Sequence, residues 1–330
     1  MTKLNILWID DNEEKVNSYT NAIEHGLEKF PDGSKLEKLI VKSDFLGKLE
    51  DLTKSNARDL IIIDQVFTRT RLVIKRGSTV AHVLRDYWPQ TPMVCVTAEK
   101  SKFNQEEISE YTALFEYANL GSHIEEIYAI ARDFPSIKTT GKKLREHLAK
   151  LVGVPASDMS LFLRVLPAEF DAGCHLTTQH RIAYWIFNVF MVKPGFLYNK
   201  LRSATYLGLN EAGFDRTKDT FEPARYKGLF FTDSNPLWWV SELEKIILEK
   251  TPSSGPASSQ LMGRSLAGIT QIDHSRCFVE EDNQDHIPDV VARIQDGTEE
   301  KAVCAIHTQN DPEDKTVNPG FESLMIIGTN

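Results

Sequence analysis

The sequence predicts an α/β protein: a doubly wound, five-stranded parallel sheet, followed by a mostly helical region and a small α+β module at the C-terminal end. Strand and helix patterns alternate through the first third of the 330 residues, which is typical of a parallel sheet with helices on both faces. After Pro135 helical patterns predominate, and a Pro-, Ser- and Gly-rich stretch then precedes several short apolar runs. The predicted segments are 1–137 (sheet domain), 138–250 (helical), 251–262 (linker) and 263–330 (α+β module).

Five short apolar runs in the first segment predict the strands of the sheet, in the spatial order 2-1-3-4-5. These runs are Leu4–Ile9, Lys38–Val41, Leu60–Ile63, Met93–Val96 and Ala113–Ala118. Helical patterns follow each strand, at about Val16–Phe30, Phe45–Leu52, Gly77–Tyr87, Glu106–Tyr111 and Ile124–Phe134. Every strand that is needed to bury this core therefore lies within residues 1–137.

The rest of the chain gives weaker signals. Lys142–Val152 has leucines on one helical face, which favours packing within the chain and leaves a dimerising helix, and so a homodimer, as the alternative. The helical pattern continues to about Lys250, with a break at Lys193–Gly195 and a loop-like stretch at Asp215–Lys227. Beyond the linker, three apolar runs predict strands. They are Cys277–Val279, Ala302–Ile306 and Leu324–Ile327.

The sequence does not have the features of a disordered, secreted or membrane-spanning protein. Hydrophobic residues make up 41% and charged residues 26%, which is ordinary for a folded globular chain. The N-terminal sequence does not resemble a signal or transit peptide, and no apolar stretch is long enough to span a bilayer, so we expect a cytoplasmic protein with reduced cysteines. The net charge is −9, with a mildly basic centre between acidic ends. We do not expect a nucleic-acid partner, although the basic centre leaves that alternative open.

Polar residues stand where three of the predicted strands end. Asp10 and Asp11 follow the first strand, Asp64 follows the third, and Thr97 follows the fourth. The carboxyl ends of parallel strands meet at one edge of a sheet, which is where open α/β folds bind ligands. Three carboxylates at that edge repel one another unless a hard cation such as Mg2+ neutralises them. With the cation present, Asp64 could attack a phosphoryl group, and Thr97 could hydrogen-bond a phosphoryl oxygen.

These motifs resemble the receiver domain family of two-component response regulators. The resemblance covers residues 1–137 and is carried by ILWIDDN at 6–12, LIIIDQ at 60–65 and RGSTVAHVLRDYWPQTPMVCVTAE at 76–99. It implies a flavodoxin-like fold, phosphorylation of Asp64 and a switch role for Thr97, with Gly77 opening the third helix. It also implies an Mg2+ site, formed by Asp10, Asp11, Asp64 and the backbone carbonyl of Val66.

Two features depart from the family pattern. The lysine that the family has after the fifth strand should fall near Asn119 or Leu120, but there is no lysine between Lys102 and Lys138. The loop that follows Asp64 is longer than usual and basic, so it could supply the missing charge; Lys100 or Lys102 is a less favoured source. The basic residues of the loop are Arg69, Arg71, Lys75 and Arg76.

We therefore predict a response regulator that receives a phosphoryl group from a histidine kinase or phosphotransfer protein and controls a C-terminal output. The first alternative is a pseudo-receiver that binds a protein partner without phosphorylation. The second is a C-terminal enzyme or nucleic-acid-binding effector.

Other candidate sites are weaker. Cys277, His286, Cys304 and His307 are possible zinc ligands, but residues three apart in a strand point to opposite faces, so we expect no zinc site. Cys174, next to His175, is interpreted as a structural cysteine rather than a catalytic thiol. Trp238–Trp239 is either a partner-binding anchor or part of the core.

Overall fold

The computed structural model describes most of the chain up to residue 268 and three short strands beyond it. The described residues are 4–27, 35–42, 44–54, 58–68, 74–98, 111–137, 144–170, 179–193, 195–209, 211–251, 259–268, 290–296, 299–304 and 317–319. The chain forms two compact units, each assembled from separate stretches of sequence. The first contains Met1–Val154, Ser160–Val192 and Lys227–Ser234, and the second contains Pro155–Met159, Lys193–Tyr226 and Asn235–Asn330.

A five-stranded parallel sheet forms the centre of the first unit. Its strands are β1 (Asn5–Asp10), β2 (Lys35–Ile40), β3 (Leu60–Asp64), β4 (Met93–Thr97) and β5 (Ala113–Glu116). Their spatial order is β2-β1-β3-β4-β5, and all four pairings are parallel, so the predicted fold class and strand order are confirmed. The second segment, predicted at 138–250, also follows the prediction, because short helices predominate among its described residues.

Helices flank this sheet, close to their predicted positions. They are α1 (Glu13–Leu27), α2 (Phe45–Thr53), α3 (Gly77–Tyr87) and α4 (Ile124–Asp133). Helix α1 begins three residues earlier than predicted, because the Asn12 side chain accepts a hydrogen bond from the Lys15 amide and thereby caps the first turn. Strand β5 ends two residues earlier than predicted, because a 3-10 helix begins at Tyr117. The helix predicted at Glu106–Tyr111 lies outside the described residues, apart from its last residue.

The central strands are buried on both faces. Every residue of β3 and β4 is buried, whereas β2, at the edge, is half-exposed. This explains the uninterrupted Leu60–Ile63 run, since the inner strands of a parallel sheet need apolar side chains on both sides. One core cluster joins the strand side chains to helices α2 and α3. It includes Leu7, Ile9, Phe45, Leu49, Ile61, Ile63, Val80, Leu84, Met93 and Cys95.

The first unit continues beyond residue 137. Its further helices are α5 (Leu144–Val152), α6 (Met159–Val165, whose first residue belongs to the second unit), α7 (Gln179–Trp185) and a π-helical turn (Ile186–Phe190). Asn188 donates to the backbone carbonyl of Thr112 at 2.9 Å, and the Phe187 ring meets the Phe115 ring edge-on. The later stretch Lys227–Ser234 is held by the Asp133 carboxylate, which accepts from the Phe230 amide at 2.7 Å. The π-helical turn therefore packs against β5, and the Lys227–Ser234 stretch packs against the end of α4.

In the second unit, helices surround a two-stranded antiparallel sheet of β6 (Leu197–Asn199) and β7 (Leu237–Trp239). The helices are α8 (Lys200–Tyr206), α9 (Glu211–Phe221), α10 (Val240–Lys250) and α11 (Ser259–Leu266). The prediction of a loop from Asp215 was wrong as far as Phe221, because Phe214 and Phe221 are both buried on one face of α9 and stack on each other. Trp238 and Trp239 are both buried, as the core interpretation requires.

Three strands are described in the C-terminal segment. They are β8 (Val290–Asp296), β9 (Glu299–Cys304) and β10 (Val317–Pro319), and they form an antiparallel sheet in the order β10-β8-β9. Cys304 ends β9 opposite Val290. The other candidate zinc ligands and the Cys174–His175 pair lie outside the described residues. Within the described parts of the chain, no helix is long and apolar enough to cross a membrane.

Candidate functional site

The three predicted carboxylates meet at the carboxyl edge of the sheet. Asp10 ends β1 and Asp64 ends β3, and the register that pairs Ile9 with Ile63 brings these two strand ends side by side. Asp10, Asp11 and Asp64 each offer a carboxylate oxygen, and these oxygens all lie within 4.8 Å of one another. Asp10 is fully buried, and Asp11 and Asp64 are 9% and 5% exposed. The sequence pattern therefore identified the acidic cluster correctly.

Asp10 is fixed by two hydrogen bonds. Its Oδ1 accepts from the Asn12 amide at 2.8 Å, and its Oδ2 accepts from the Tyr117 hydroxyl at 2.7 Å. The first bond closes the turn between β1 and α1, and the second joins this turn to the residue that follows β5. Asp10 is thus held by both local and distant parts of the chain.

Lys15, in the first turn of α1, extends over the cluster. Its Nζ lies 3.3 Å from Oδ1 of Asp64 and 3.5 Å from the centre of the Tyr117 ring. The Lys15 side chain is 25% exposed and that of Asp64 is 7% exposed, so the ion pair is largely shielded from water. Within the described part of the cluster, Lys15 is the one cation facing three carboxylates.

Burial dominates the electrostatics of these groups. Desolvation, followed by the nearby charge of Asp10, raises the pKa of Asp64 to about 7, while Lys15 and the Tyr117 hydroxyl act in the opposite direction. Desolvation also raises the pKa of Asp10. The pKa of Tyr117 is raised by its burial and by the neighbouring carboxylates, so its hydroxyl keeps its proton and remains a donor. The cluster carries more negative charge than Lys15 can neutralise.

Thr97 and Gln65 form the side of the site next to β4. The Thr97 hydroxyl donates to Oε1 of Gln65 at 2.6 Å, and both side chains are buried. The Gln65 amide donates to the carbonyl of Val96, and the Gly77 amide donates to the carbonyl of Gln65. These backbone bonds fix the corner at which the chain leaves β3.

Gly77 begins α3 where the backbone of Asp64 passes closest. A Cβ atom at this position would lie 2.1 Å from the Asp64 carbonyl oxygen and 2.8 Å from Cγ2 of Ile63. A flexible side chain could move away from such an overlap, but the backbone carbonyl cannot move without a shift of the strand. This contact explains the glycine at the start of α3, where the sequence resemblance also required one.

A cavity of about 360 Å³ opens beside the carboxylates. The residues that line it are Asp11, Asn12, Lys15, Asp64, Gln65, Val66, Thr68, Thr97 and Ala98. Val66 is paired with Arg76 in an isolated antiparallel bridge, which places the Val66 backbone at the rim. The acidic group, Thr97 and the residue of the predicted carbonyl ligand therefore share one space.

Three side chains at this site were not predicted from the sequence. Lys15 and Gln65 line the cavity, and the Tyr117 hydroxyl donates a hydrogen bond to Asp10. The position after β5 is taken by Tyr117, whereas Asn119 is exposed within the 3-10 helix. For Lys15 a signal was present, because it lies four residues after Asp11, within the first turn of α1.

No protein-family model matches the chain, and no curated protein matches it either. Several of the solved structures similar to its N-terminal part are receiver domains. A CheY-like receiver domain from Methylobacillus flagellatus is 16% identical, with 38% of this chain and 99% of that chain covered and a TM-score of 0.29. The Francisella response regulator 1452 receiver domain is 19% identical, with 38% and 97% covered and a TM-score of 0.27. The RcsB response regulator of Salmonella typhimurium is 15% identical, with 49% and 76% covered and a TM-score of 0.32.

Proposed function

We propose that the first unit is the receiver of a two-component response regulator and that Asp64 accepts its phosphoryl group. The observation that carries this proposal is the position of Asp64. Its carboxylate ends a central strand, is grouped with Asp10 and Asp11, and lines a cavity that it shares with Thr97. A nucleophilic carboxylate, acidic metal ligands and a hydroxyl donor are the groups that phosphoryl transfer to an aspartate requires.

The residues present fit an Mg2+ ion. Asp10, Asp11 and Asp64 supply hard oxygen ligands within 4.8 Å of one another, and the proposed fourth ligand is the backbone carbonyl of Val66. Burial makes the shared negative charge costly, as the raised pKa values of Asp10 and Asp64 indicate. A bound divalent cation would remove this cost and would reduce the repulsion between the carboxylate and an incoming phosphoryl group.

The proposed reaction is a displacement at phosphorus. A carboxylate oxygen of Asp64 forms a bond to phosphorus while the bond from phosphorus to the donor's leaving atom breaks, and the leaving group keeps the electron pair. Acetate leaves acetyl phosphate as the anion, whereas a leaving ring nitrogen takes up a proton from water. For a phosphohistidine donor, on a histidine kinase or phosphotransfer protein, the leaving atom is a ring nitrogen. The product is an acyl phosphate. Thr97 would exchange its 2.6 Å bond to Gln65 for one to a phosphoryl oxygen.

In this proposal the phosphorylated receiver controls the output of the remaining chain. The segments that pack beside β5 belong to the same compact unit as the acceptor site, so they are in a position to respond to it.

The test is to incubate the full chain with Mg2+ and a small-molecule phosphodonor, acetyl phosphate, and to measure its intact mass. We expect one phosphoryl adduct that is absent from Asp64→Asn and is lost when a chelator removes Mg2+. Asp11→Asn should weaken Mg2+ binding while it retains the nucleophile. An adduct that persists in Asp64→Asn would place the acceptor elsewhere.

The second candidate function is a pseudo-receiver that binds a partner without phosphorylation. It is favoured by one observation, that Thr97 and Asp64 are already engaged, with Gln65 and Lys15 respectively. If neither an adduct nor measurable Mg2+ affinity is found in the wild-type protein, this second function replaces the first.

A further inference from the structure

We infer that Lys15 is the cation that pairs with a phosphoryl oxygen on Asp64, and that Tyr117 positions it. The inference rests on the proposed function and adds to it, since it assigns the positive contact to α1 instead of the segment after β5. The juxtaposition that motivates it is an ammonium group held between the Asp64 carboxylate and an aromatic face.

The ammonium group of Lys15 lies close to the proposed nucleophile. Nζ of Lys15 lies 3.3 Å from Oδ1 of Asp64, so a phosphoryl group bonded to an oxygen of Asp64 would bring its own oxygens within the same reach. Among the described residues that line the cavity, Lys15 is the only basic one. An ammonium group has three N–H donors, and Asp64 uses one of them here. Lys15 can therefore contact the Asp64 carboxyl group and the phosphoryl group together, or move from the first to the second.

Lys15 is held in place by an aromatic ring. The Tyr117 ring lies 3.5 Å from the ammonium group and attracts it through its π face. A carboxylate in that position would neutralise the lysine, whereas an aromatic ring positions it and leaves its charge available. Tyr117 itself is fixed, because it is only 4% exposed and its hydroxyl is bonded to Asp10. Its ring also packs against the Tyr19 ring, with 5.1 Å between the ring centres.

Lys15 faces negative charge both before and after phosphoryl transfer. When Asp64 forms an acyl phosphate, its own negative charge is replaced by the charge on the phosphoryl oxygens, which are strong acceptors of charge-assisted hydrogen bonds. Lys15 thus retains an anionic partner throughout. Lys15 and a divalent cation both carry positive charge and share Asp64, so they repel each other. Removal of Lys15 should therefore slow phosphorylation without weakening metal binding.

The experiment compares Lys15→Met with wild type in the full chain. The rate of adduct formation from acetyl phosphate is measured at saturating Mg2+, and Mg2+ affinity is measured by calorimetry without the phosphodonor. We expect the rate to fall about tenfold or more, as for loss of one charge-assisted hydrogen bond, and Mg2+ affinity to stay unchanged or increase. Lys15→Arg should recover a large part of the rate. Lys42→Met is the matched control, because Lys42 is an exposed lysine that pairs with Glu13, and its rate should be that of wild type.

Tyr117→Leu tests the positioning role. Its reference is Tyr117→Phe, which also lacks the hydroxyl bond to Asp10 but keeps the ring beside Lys15. Relative to Tyr117→Phe, Tyr117→Leu should slow adduct formation when Lys15 is present and have little additional effect when Lys15 is already Met, because the ring acts through the lysine that it holds. A wild-type rate for Lys15→Met would overturn the inference and point to a cation from residues 69–76 or 100–102. A parallel loss of Mg2+ affinity would also overturn it, since that would indicate general damage to the site. No adduct with wild type would instead refute the proposed function itself.

Discussion

The Tyr117 hydroxyl donates a 2.7 Å hydrogen bond to Oδ2 of Asp10, which lies 107 positions earlier in the chain. This bond joins the end of β5 to the end of β1, although β3 and β4 lie between them in the sheet. Because the same ring supports Lys15, one buried side chain fixes both a proposed metal ligand and the cation opposite Asp64. The site is therefore assembled from four separate stretches of sequence.

The first prediction concerns this hydroxyl. Tyr117→Phe keeps the ring beside Lys15 but leaves one oxygen of the buried Asp10 without its donor. In the absence of divalent cations we expect the free energy of unfolding to fall by about 1–3 kcal/mol, the usual cost of losing a hydrogen bond to a buried charged group. Urea denaturation followed by far-UV circular dichroism measures it. Tyr87→Phe, at an exposed position on α3, is the control and should be neutral. Equal stability of both variants would contradict the importance of this bond.

Much of the fold was predictable from the sequence because its signals are local. The apolar run from Leu60 to Ile63 and the helix Gly77–Tyr87 follow directly from residue patterns, and the strand-end aspartates follow from the topology of parallel sheets. Lys15 and Tyr117 were not predictable in the same way. Their roles depend on where α1 and the 3-10 helix bring side chains that are ordinary in sequence.

The same limit explains the errors elsewhere. Asp215–Lys227 is rich in charged residues and reads as a loop, yet Phe214 and Phe221 lie seven positions apart, on one buried helical face. A three-residue strand such as Leu197–Asn199 has too few positions to show alternation, and it forms because Leu237–Trp239 pairs with it. Long-range pairing of this kind leaves little trace in a single sequence.

The second prediction is that Gly77→Ala is strongly destabilising. The added methyl carbon would lie 2.1 Å from the Asp64 carbonyl oxygen, so β3 or α3 must shift, and overpacking of this kind costs about 1–3 kcal/mol or more. The same shift would move the Asp64 carboxylate and weaken Mg2+ binding. Gly47→Ala is a matched control within α2, where an added Cβ meets nothing within 4 Å; it should stabilise by up to about 1 kcal/mol. Thermal denaturation of both variants checks the contrast, and equal midpoints would be inconsistent with it.

The third prediction concerns the boundary at residue 137. Residues 1–137 contain all five strands, so we expect this fragment to fold and to unfold cooperatively when expressed alone. It should be less stable than the same sheet in the full chain, because it lacks Asn188, which bonds to Thr112, and Phe187, which covers Phe115. Hydrogen exchange at the amides of β5 would measure the difference. Equal protection of β5 in both proteins would show that the later segments do not stabilise the sheet.

The last prediction follows from the pKa of Asp64, which burial raises to about 7. Between the ordinary aspartate pKa of about 3.9 and this value, the folded state holds a proton at Asp64 that the unfolded state has released. The contribution of Asp64 to stability is therefore fully present below about pH 4, declines as the pH rises, and is lost above about pH 7. With a chelator present, the wild-type protein should become easier to unfold over this range.

Asp64→Asn removes the titrating group, so its urea midpoint should change less between pH 4 and pH 7 than that of wild type. At pH 8, where wild type must bury the charge, Asp64→Asn should be the more stable protein by about 1–3 kcal/mol. Asp44→Asn is the control. The ion pair with Lys48 lowers the pKa of this exposed carboxyl, so the contribution of Asp44 to stability changes with pH only below about pH 4. Added Mg2+ should reverse the order at pH 8, because only the ionised carboxylate binds the cation well. If wild type is the more stable protein at pH 8 without a divalent cation, the carboxylate cluster is not under the electrostatic strain on which the proposed metal site depends.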